Sequence, residues 1–225
     1  MSVNKKGLRS QKEKDLLINA RKPIGELGMQ LLERMNTNHK SVSLWGISHL
    51  KIEKNDVILD IGCGGGANVE RFNKMTDNKV FGLDYSELAV EKSTKLNQAA
   101  IDEGRCEIIQ ESVSELPFED NVFDIVTGFE TVYFWPDFVN DAKEVRRVLK
   151  DDGIMLICNE AVPKENDERQ KELIDLLQME LYSEDQFEQY LREAGFSDVI
   201  CFSKEGPDSL DKELVTGWLY VIARK

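Results

Sequence analysis

The stretch from Val57 to Ala67, Val-Ile-Leu-Asp-Ile-Gly-Cys-Gly-Gly-Gly-Ala, constrains the fold of this chain more than any other. Four apolar residues among its first five predict a buried strand, which the glycines then end. Glycine at Gly62, Gly64 and Gly66 permits a tight turn and lets a ligand approach the bare backbone. The residues from Val69 to Met75 predict a short helix, whose first N–H groups would face that ligand. Strand, glycine turn and helix are the first unit of a nucleotide-binding α/β domain.

The glycines alone leave the ligand open, because Gly62-x-Gly64-x-x-Ala67 also fits the dinucleotide-binding pattern, and a lone match of this kind is weak. The position of Asp60 distinguishes a dinucleotide from a positively charged ligand. It precedes the first glycine by two residues, where its carboxylate would repel a pyrophosphate and attract a ligand that carries an ammonium and a sulfonium. S-adenosylmethionine (SAM) has both cations and no phosphate. The pattern Asp60-x-Gly62-x-Gly64-x-Gly66 resembles the first motif of the class I SAM-dependent methyltransferases.

A second short apolar run ends at Asp84, 22 positions after Gly62. In folds of this kind an acidic residue at this position accepts hydrogen bonds from the two hydroxyl groups of a ribose. A carboxylate can accept both hydroxyl protons in charge-assisted hydrogen bonds. Tyr85 is expected against the adenine. The family commonly has an aspartate where this chain has Ser112, whose hydroxyl can also accept a bond from the adenine amino group, while the backbone N–H of Val113 serves a ring nitrogen. The predicted cofactor contacts are Asp60, Gly62, Cys63, Gly64, Gly66, Asp84, Tyr85, Ser112, Val113 and Phe129.

The loop after the fourth predicted strand, residues 129–136, brings four aromatic residues together around Glu130. Ligands of open α/β sheets bind beyond the carboxyl ends of the strands, so this loop is expected to line the reaction cleft. A base is needed only if the methyl acceptor has to lose a proton. The predicted catalytic residues are Glu130, His39 and Tyr133, followed by Glu160. The alternatives are that His39 is a surface histidine and that the aromatic residues serve core packing.

Apolar strand-like runs alternate with helical segments from residue 53 onward, and the last two runs, 196–202 and 217–223, have no helix between them. Those two are therefore expected to pair antiparallel across the polar loop that holds Gly206-Pro207. The fold class predicted is α/β, a Rossmann-like seven-stranded, mostly parallel sheet with helices on both faces. The resemblance implies two parts: an N-terminal helical cap or lid, residues 1–52, and a methyltransferase domain, residues 53–225.

The amino-acid composition limits the classes of partner that are expected for this protein. A formal net charge of −13 and a pI near 4.7 argue against a surface that follows phosphate backbones, so no nucleic acid is expected. No apolar run approaches the ~20 residues that span a membrane, and no secretory signal opens the chain. The four cysteines lie far apart without metal-ligand spacing, so no metal site is expected. Three of them lie in or beside apolar strand-like runs, where cysteine acts as a small hydrophobic residue, and a reducing cytoplasm is the expected compartment.

The methyl acceptor is narrowed by what the chain lacks. Family members that methylate nucleobase amino groups carry Asn/Asp-Pro-Pro-aromatic after the fourth strand, whereas this chain has Gly128-Phe-Glu-Thr, and it contains no Pro-Cys dipeptide. A small-molecule acceptor is the predicted class. Three alternatives stay open: a methyltransferase acting on protein or RNA, a SAM-binding protein without transfer activity, and an unrelated dinucleotide enzyme. The sequence leaves monomer and homodimer equally open.

Overall fold

Seven strands and eight α-helices make up the part of the chain that this computed structural model describes, residues 10–205 and 217–225. The predicted loop around Gly206-Pro207 lies outside the described residues. The helices are α1 (Gln11–Leu17), α2 (Gly25–Asn38), α3 (Lys40–Ile47), α4 (Ala67–Phe72), α5 (Glu87–Asp102), α6 (Phe138–Val148), α7 (Glu168–Leu177) and α8 (Glu184–Glu193). The strands are β1 (Ile58–Ile61), β2 (Val80–Asp84), β3 (Cys106–Gln110), β4 (Phe123–Phe129), β5 (Leu149–Asn159), β6 (Val199–Lys204) and β7 (Trp218–Arg224).

The strands form one sheet in the order β3-β2-β1-β4-β5-β7-β6. The first five strands are parallel, and β7 lies antiparallel to both β5 and β6, which confirms the predicted fold class. The chain runs outward from β1 to β3 and then returns to place β4 on the other side of β1. This reversal of strand order is where open α/β sheets bind ligands, at the carboxyl ends of the strands.

The central strand is apolar on both faces because helices cover each side of the sheet. Leu59 packs in a core cluster with residues of α6 and α8, whereas its neighbour Ile58 packs in a second cluster with residues of α3 and α4. Both side chains are fully buried. The carboxyl end of β1 is thereby held rigidly between two cores, and the glycine turn starts from a fixed position.

The glycine turn requires backbone conformations that other residues rarely adopt. Gly62 and Gly64 have φ values of 66° and 51°. A Cβ on Gly62 would also lie 2.1 Å from the Oγ1 atom of Thr131, so the loop after β4 packs directly on the turn. The helix that follows begins at Ala67 and ends at Phe72, earlier at both ends than the predicted span of Val69 to Met75.

The N-terminal helices lie over the carboxyl ends of β1 and β2. The side-chain hydroxyl of Ser86 donates to the backbone carbonyl of Pro23 at 3.0 Å, and the phenol of Tyr85 donates to the carbonyl of Arg21. At α3, a Cβ on Gly46 would come within 2.7 Å of the Cys158 sulfur on β5, so only glycine permits this close approach. These contacts support a cap over the cleft, and its boundary at residue 52 stays a prediction.

The structure buries three of the four cysteines. All four are free thiols, with Cys63, Cys106 and Cys158 buried and Cys201 half-buried. Among the described residues, no helix is both long enough and apolar enough to cross a membrane.

Candidate active site

Three adjoining cavities open at the carboxyl ends of the central strands. The first, of about 110 Å³, lies between the ends of β2 and β3 and the loop after β4. It contains five of the predicted cofactor contacts together with residues of the loop and the cap. Its lining is Arg21, Ile61, Gly62, Leu83, Asp84, Tyr85, Glu111, Ser112, Val113, Thr131, Phe134, Trp135 and Pro136.

Asp84 is fixed in this first cavity by two backbone hydrogen bonds. The N–H of Gly64 donates to its Oδ2 atom and the N–H of Ser86 to its Oδ1 atom, each at 2.9 Å. Burial raises the pKa of the Asp84 carboxyl, and these two N–H donors oppose the rise because they favour the charged form. Each carboxylate oxygen has a further lone pair for a ligand hydroxyl. The side chain therefore fits the predicted contact with a ribose diol.

The second cavity, of about 50 Å³, lies on the other side of the glycine turn, beside Asp60. The hydroxyl of Thr127 donates to the Oδ1 atom of Asp60 at 2.7 Å, and the carboxyl group is only 2% exposed. Burial raises its pKa to about 7, against the opposing effects of Thr127 and the Arg71 guanidinium. A ligand ammonium in this cavity would favour the charged carboxylate. The Asp60 carboxylate therefore fits the ammonium group at the amino-acid end of SAM.

The remaining predicted cofactor residues divide between this second cavity and the turn behind it. Cys63, Gly64 and Phe129 line the second cavity. Gly66 instead packs on α5, where a Cβ would meet the Oγ atom of Ser93 at 2.4 Å. Its glycine is required for that packing and for a φ of 81°.

The third cavity, of about 130 Å³, lies between the cap, the loop after β4 and α7. Its walls are largely apolar, with Arg34 and Asn38 among the lining residues, and all four predicted catalytic residues line it. The apolar lining consists of Leu17, Ala20, Leu31, Met35, Phe134, Ala161, Leu173, Leu177 and Met179. The predicted catalytic residues are His39, Glu130, Tyr133 and Glu160, which we call the polar cluster.

Glu130 is the centre of the polar cluster. The phenol of Tyr133 donates to its Oε2 atom at 2.8 Å, and the backbone N–H of Glu160 donates to its Oε1 atom. The backbone of Glu130 has a φ of 55°, a conformation that costs a non-glycine residue free energy and is found disproportionately at functional sites. This strained position directs the carboxylate into the cluster.

The polar cluster contains two carboxyl groups that lie close together and are shielded from water, so ionising both of them is unfavourable. Burial first and the Glu160 carboxylate second raise the pKa of Glu130 well above its usual range, and burial raises the pKa of Glu160 to about 7. The indole N–H of Trp218 favours the charged form of Glu160, but the two groups do not meet the geometry of a hydrogen bond, and Glu160 Oε1 is buried without a partner. Burial lowers the pKa of His39 to about 4, which leaves its imidazole neutral at neutral pH.

The three cavities share lining residues and so lie next to one another. His39 and Met35 line both the second and the third cavity, and Phe134 lines both the first and the third. His39 is therefore placed between the cavity beside Asp60 and the polar cluster, as a group between methyl donor and acceptor would be. Which member of the cluster acts as a base stays a prediction.

Sequence reasoning missed several residues that line the cofactor side. Asn36 and Arg71 border the second cavity, and Arg21 borders the first. Asn36 and Arg21 belong to the cap, whose placement over the sheet has no local sequence signal. Thr131 and Phe134 also line the first cavity, and both lie in the loop that the sequence singled out.

Comparisons with known proteins agree with this geometry. Residues 59–157 match the family model described as a methyltransferase domain. The chain is 30% identical over 152 residues to 27-O-demethylrifamycin SV methyltransferase of Amycolatopsis mediterranei, which covers 65% of this chain and 56% of that protein. It is 36% identical over 93 residues to cycloartenol-C-24-methyltransferase 1 of Oryza sativa subsp. japonica, covering 41% of this chain and 27% of that protein. The matched region thus spans only about a quarter to a half of the length of these curated relatives.

The fold has counterparts among solved structures. A SAM-dependent methyltransferase from Aquifex aeolicus superposes with a TM-score of 0.67 at 17% identity, over 86% of this chain and 96% of that one. An identity this low bears on the fold alone. Residues 59–157 are thus a methyltransferase domain, and the strand order with its antiparallel final pair and the glycine turn with Asp60 and Asp84 are those of the class I SAM-dependent methyltransferases, whose cofactor is SAM.

Proposed function

We propose that this protein transfers the methyl group of SAM to a small-molecule acceptor bound in the third cavity. The observation that carries the proposal is the junction at His39, where the cavity beside Asp60 meets a largely apolar cavity that the polar cluster also lines. An apolar wall with a few convergent polar groups is the usual form of a small-molecule site.

The residues on the cofactor side would hold SAM, which supplies an electrophilic methyl group on a sulfonium. Asp84 would accept the ribose hydroxyls, and Asp60 would face the ammonium group. Ser112 and Val113 would lie against the adenine, since both line the first cavity. These placements follow from the donor and acceptor groups that each cavity offers.

The acceptor side would contribute positioning and exclusion of water. Holding an acceptor's lone pair in line with the transferred methyl supplies up to ~7–11 kcal/mol in the best intramolecular cases. Residues of α1, α2 and α7 wall the third cavity, so the cap would separate the reacting groups from solvent. The polar cluster would bind the acceptor group that receives the methyl.

Two features support a small molecule over a macromolecule. The lining of the third cavity is largely apolar, which suits a small molecule, whereas a net charge of −13 disfavours an RNA. Relatives named for a rifamycin and for a sterol precursor point in the same direction.

The test has a binding stage and a transfer stage. Calorimetry is expected to show that SAM and S-adenosylhomocysteine bind, with NAD and NADP silent. Release of S-adenosylhomocysteine is then followed with panels of sterols, phenolic polyketides and amines, and with total RNA and protein extracts as the comparison. Turnover with a small molecule alone supports the proposal. Tight NAD binding without SAM binding, or turnover with RNA or protein alone, contradicts it.

A further inference from the structure

Three side chains of the polar cluster are of types that commonly bind metal ions, and they lie close together. His39 comes from the junction of α2 and α3, Glu130 from the loop after β4, and Glu160 from the residue after β5. Each offers one donor atom, and the three donor atoms all lie within 4.8 Å of one another. Donors around a cation with ~2.1 Å metal–ligand distances are separated by roughly 3–4 Å, so rotations of these side chains by about 1 Å complete such a site.

A second observation points to a cation at the same place. Glu160 is only 7% exposed, and its Oε1 atom is buried without a hydrogen-bond donor. A buried carboxylate oxygen normally has a donor or a cation, because desolvating the charge is otherwise costly. The second carboxylate, Glu130, lies within the same group and adds electrostatic repulsion that a bound cation would relieve.

We propose that His39, Glu130 and Glu160 bind one divalent transition-metal cation, with Mn²⁺ as the representative of the class. An imidazole nitrogen with two carboxylates suits Mn²⁺, Zn²⁺ or Fe²⁺, whereas Mg²⁺ prefers an all-oxygen shell that keeps several waters. The ligand set is thus mixed, and its single nitrogen selects against Mg²⁺ and Ca²⁺.

The surroundings of Glu130 are those of an oriented metal ligand. Each of its oxygens already accepts one hydrogen bond, from the Tyr133 phenol at 2.8 Å and from the Glu160 backbone N–H. Both bonds leave a lone pair on each oxygen and fix the plane of the carboxylate. Hydrogen-bond donors of this kind orient the residues that bind the metal directly, and their removal commonly lowers metal affinity tenfold or more.

The consequence for the acceptor rests on the proposed function. Three protein ligands leave coordination positions open toward the third cavity, and His39 also borders the cavity beside Asp60. An acceptor oxygen bound at an open position would lie next to the methyl donor, and its hydroxyl would be a stronger acid than in water. The acceptor class that this geometry selects is an oxygen nucleophile, with the two glutamates as ligands of the cation.

The experiment measures metal binding without SAM or acceptor, so that it stands apart from methyl transfer. The full chain is stripped with EDTA, desalted and titrated with MnCl₂, and free Mn²⁺ is followed by its paramagnetic resonance signal. Wild type is expected to bind one Mn²⁺ per chain, and ZnCl₂ to displace it. Glu160→Gln should weaken Mn²⁺ binding at least tenfold. The matched control is Glu193→Gln, which removes the same charge from an exposed position on α8 and should bind like wild type.

Thermal unfolding separates a ligand role from a structural one. Metal-free Glu160→Gln should unfold at or above the wild-type temperature, since it removes one of two neighbouring buried carboxylates. Mn²⁺ should then raise the unfolding temperature of wild type and Glu193→Gln but not that of Glu160→Gln. His39→Asn provides a second variant with the same expected loss of Mn²⁺ binding.

The outcomes are distinct. Equal Mn²⁺ affinity in Glu160→Gln and Glu193→Gln, or no stoichiometric binding by wild type, overturns the metal site and leaves the cluster to bind a proton or an ammonium group of the acceptor. Mn²⁺ binding without any SAM binding upholds the metal site and defeats the proposed methyl transfer. SAM binding without Mn²⁺ binding does the reverse.

Discussion

The side-chain amide of Asn36 donates a hydrogen bond of 3.1 Å to the backbone carbonyl of Gly65, joining the cap to the glycine turn. The contact is close, because a Cβ on Gly65 would lie 2.5 Å from the Asn36 Nδ2 atom. The helix that carries Asn36 also carries Met35, which lines both the second and third cavities. Displacement of α2 would therefore change the cofactor side and the acceptor side together.

Replacing Asn36 tests this coupling. Asn36→Ala removes one hydrogen bond, worth about 0.5–1.5 kcal/mol, so SAM affinity is expected to fall about two- to tenfold if the cap has to rest on the turn for binding. Calorimetry measures the change. The control is Thr37→Ala, an exposed neighbour whose hydroxyl donates within its own helix to Glu33. Equal SAM affinity in both variants would show that the cap does not influence the cofactor site.

Asp84 gives a prediction for the ribose end of the cofactor. Asp84→Ala removes two charge-assisted hydrogen bonds of ~1.5–3 kcal/mol each, so SAM affinity should fall at least tenfold. The variant also frees the N–H groups of Gly64 and Ser86, and thermal unfolding is needed to account for the lost stability. Asp84→Asn retains one acceptor oxygen and is expected to be intermediate in affinity. An unchanged dissociation constant in the folded Asp84→Ala variant would mean that the ribose is held elsewhere.

Gly64 allows backbone strain to be separated from ligand contact. Gly64 and Gly104 both have positive φ, and a Cβ would meet no protein atom closer than 3.8 Å at Gly64 and none within 4 Å at Gly104. Alanine at either position should cost a similar ~1–2 kcal/mol of stability. Only Gly64→Ala places a methyl group beside the second cavity, so only this variant should weaken SAM binding. A similar loss of affinity in Gly104→Ala would assign the effect to strain.

Several parts of this site follow from the sequence because local patterns determine them. The glycine turn needs glycine for its φ values, and the two carboxylates have fixed positions in the pattern, Asp60 as the penultimate residue of β1 and Asp84 as the last residue of β2. The meeting of His39, Glu130 and Glu160 is different. They come from three segments separated by dozens of residues, and their convergence depends on how the cap packs against the strand ends.

The same reasoning explains why no metal site was predicted. Metal-ligand spacing is recognisable in sequence when the ligands lie close together, as cysteine pairs do. In the proposed site each segment would supply a single ligand, and a single histidine or glutamate in a loop has no distinguishing pattern.

The observed start of α4 differs from the predicted start at Val69 for a local reason. The left-handed backbone of Gly66 ends the turn, so the helix begins at once with Ala67.

Asp60 predicts a pH dependence of SAM binding and of stability. Its pKa is raised from 3.8 to about 7 by burial, so the folded protein holds the proton over a pH range in which the unfolded chain has lost it. The associated stability is complete below the unfolded pKa and is lost as the pH rises through the folded pKa. SAM affinity should change in the opposite direction, rising as the pH increases toward 7, because the ammonium group favours the charged carboxylate.

Asp60→Asn isolates this group from Asp84, whose pKa burial also raises. The variant is expected to gain stability relative to wild type between pH about 5 and about 8, and its SAM affinity should be lower and less dependent on pH. Thermal unfolding and calorimetry across that range provide the measurements. A wild-type SAM affinity that stays constant over the range would exclude Asp60 from the ammonium contact.

Glu130 gives the prediction that separates the two halves of the site. It lines the third cavity and neither of the cofactor cavities, so Glu130→Gln should leave SAM affinity within a few-fold of wild type. Methyl transfer should nevertheless slow by ~10²–10⁴, the range for loss of a group that acts on a proton in the transition state. Tyr133→Phe should slow transfer less, since it removes only the phenol that donates to Glu130 at 2.8 Å and leaves the Glu130 carboxyl group in place. Single-turnover rates of S-adenosylhomocysteine formation, measured beside SAM titrations, check both variants. If Glu130→Gln transfers methyl at the normal rate, the acceptor is not activated at the polar cluster. A loss of SAM binding in step with the rate would instead place Glu130 on the cofactor side.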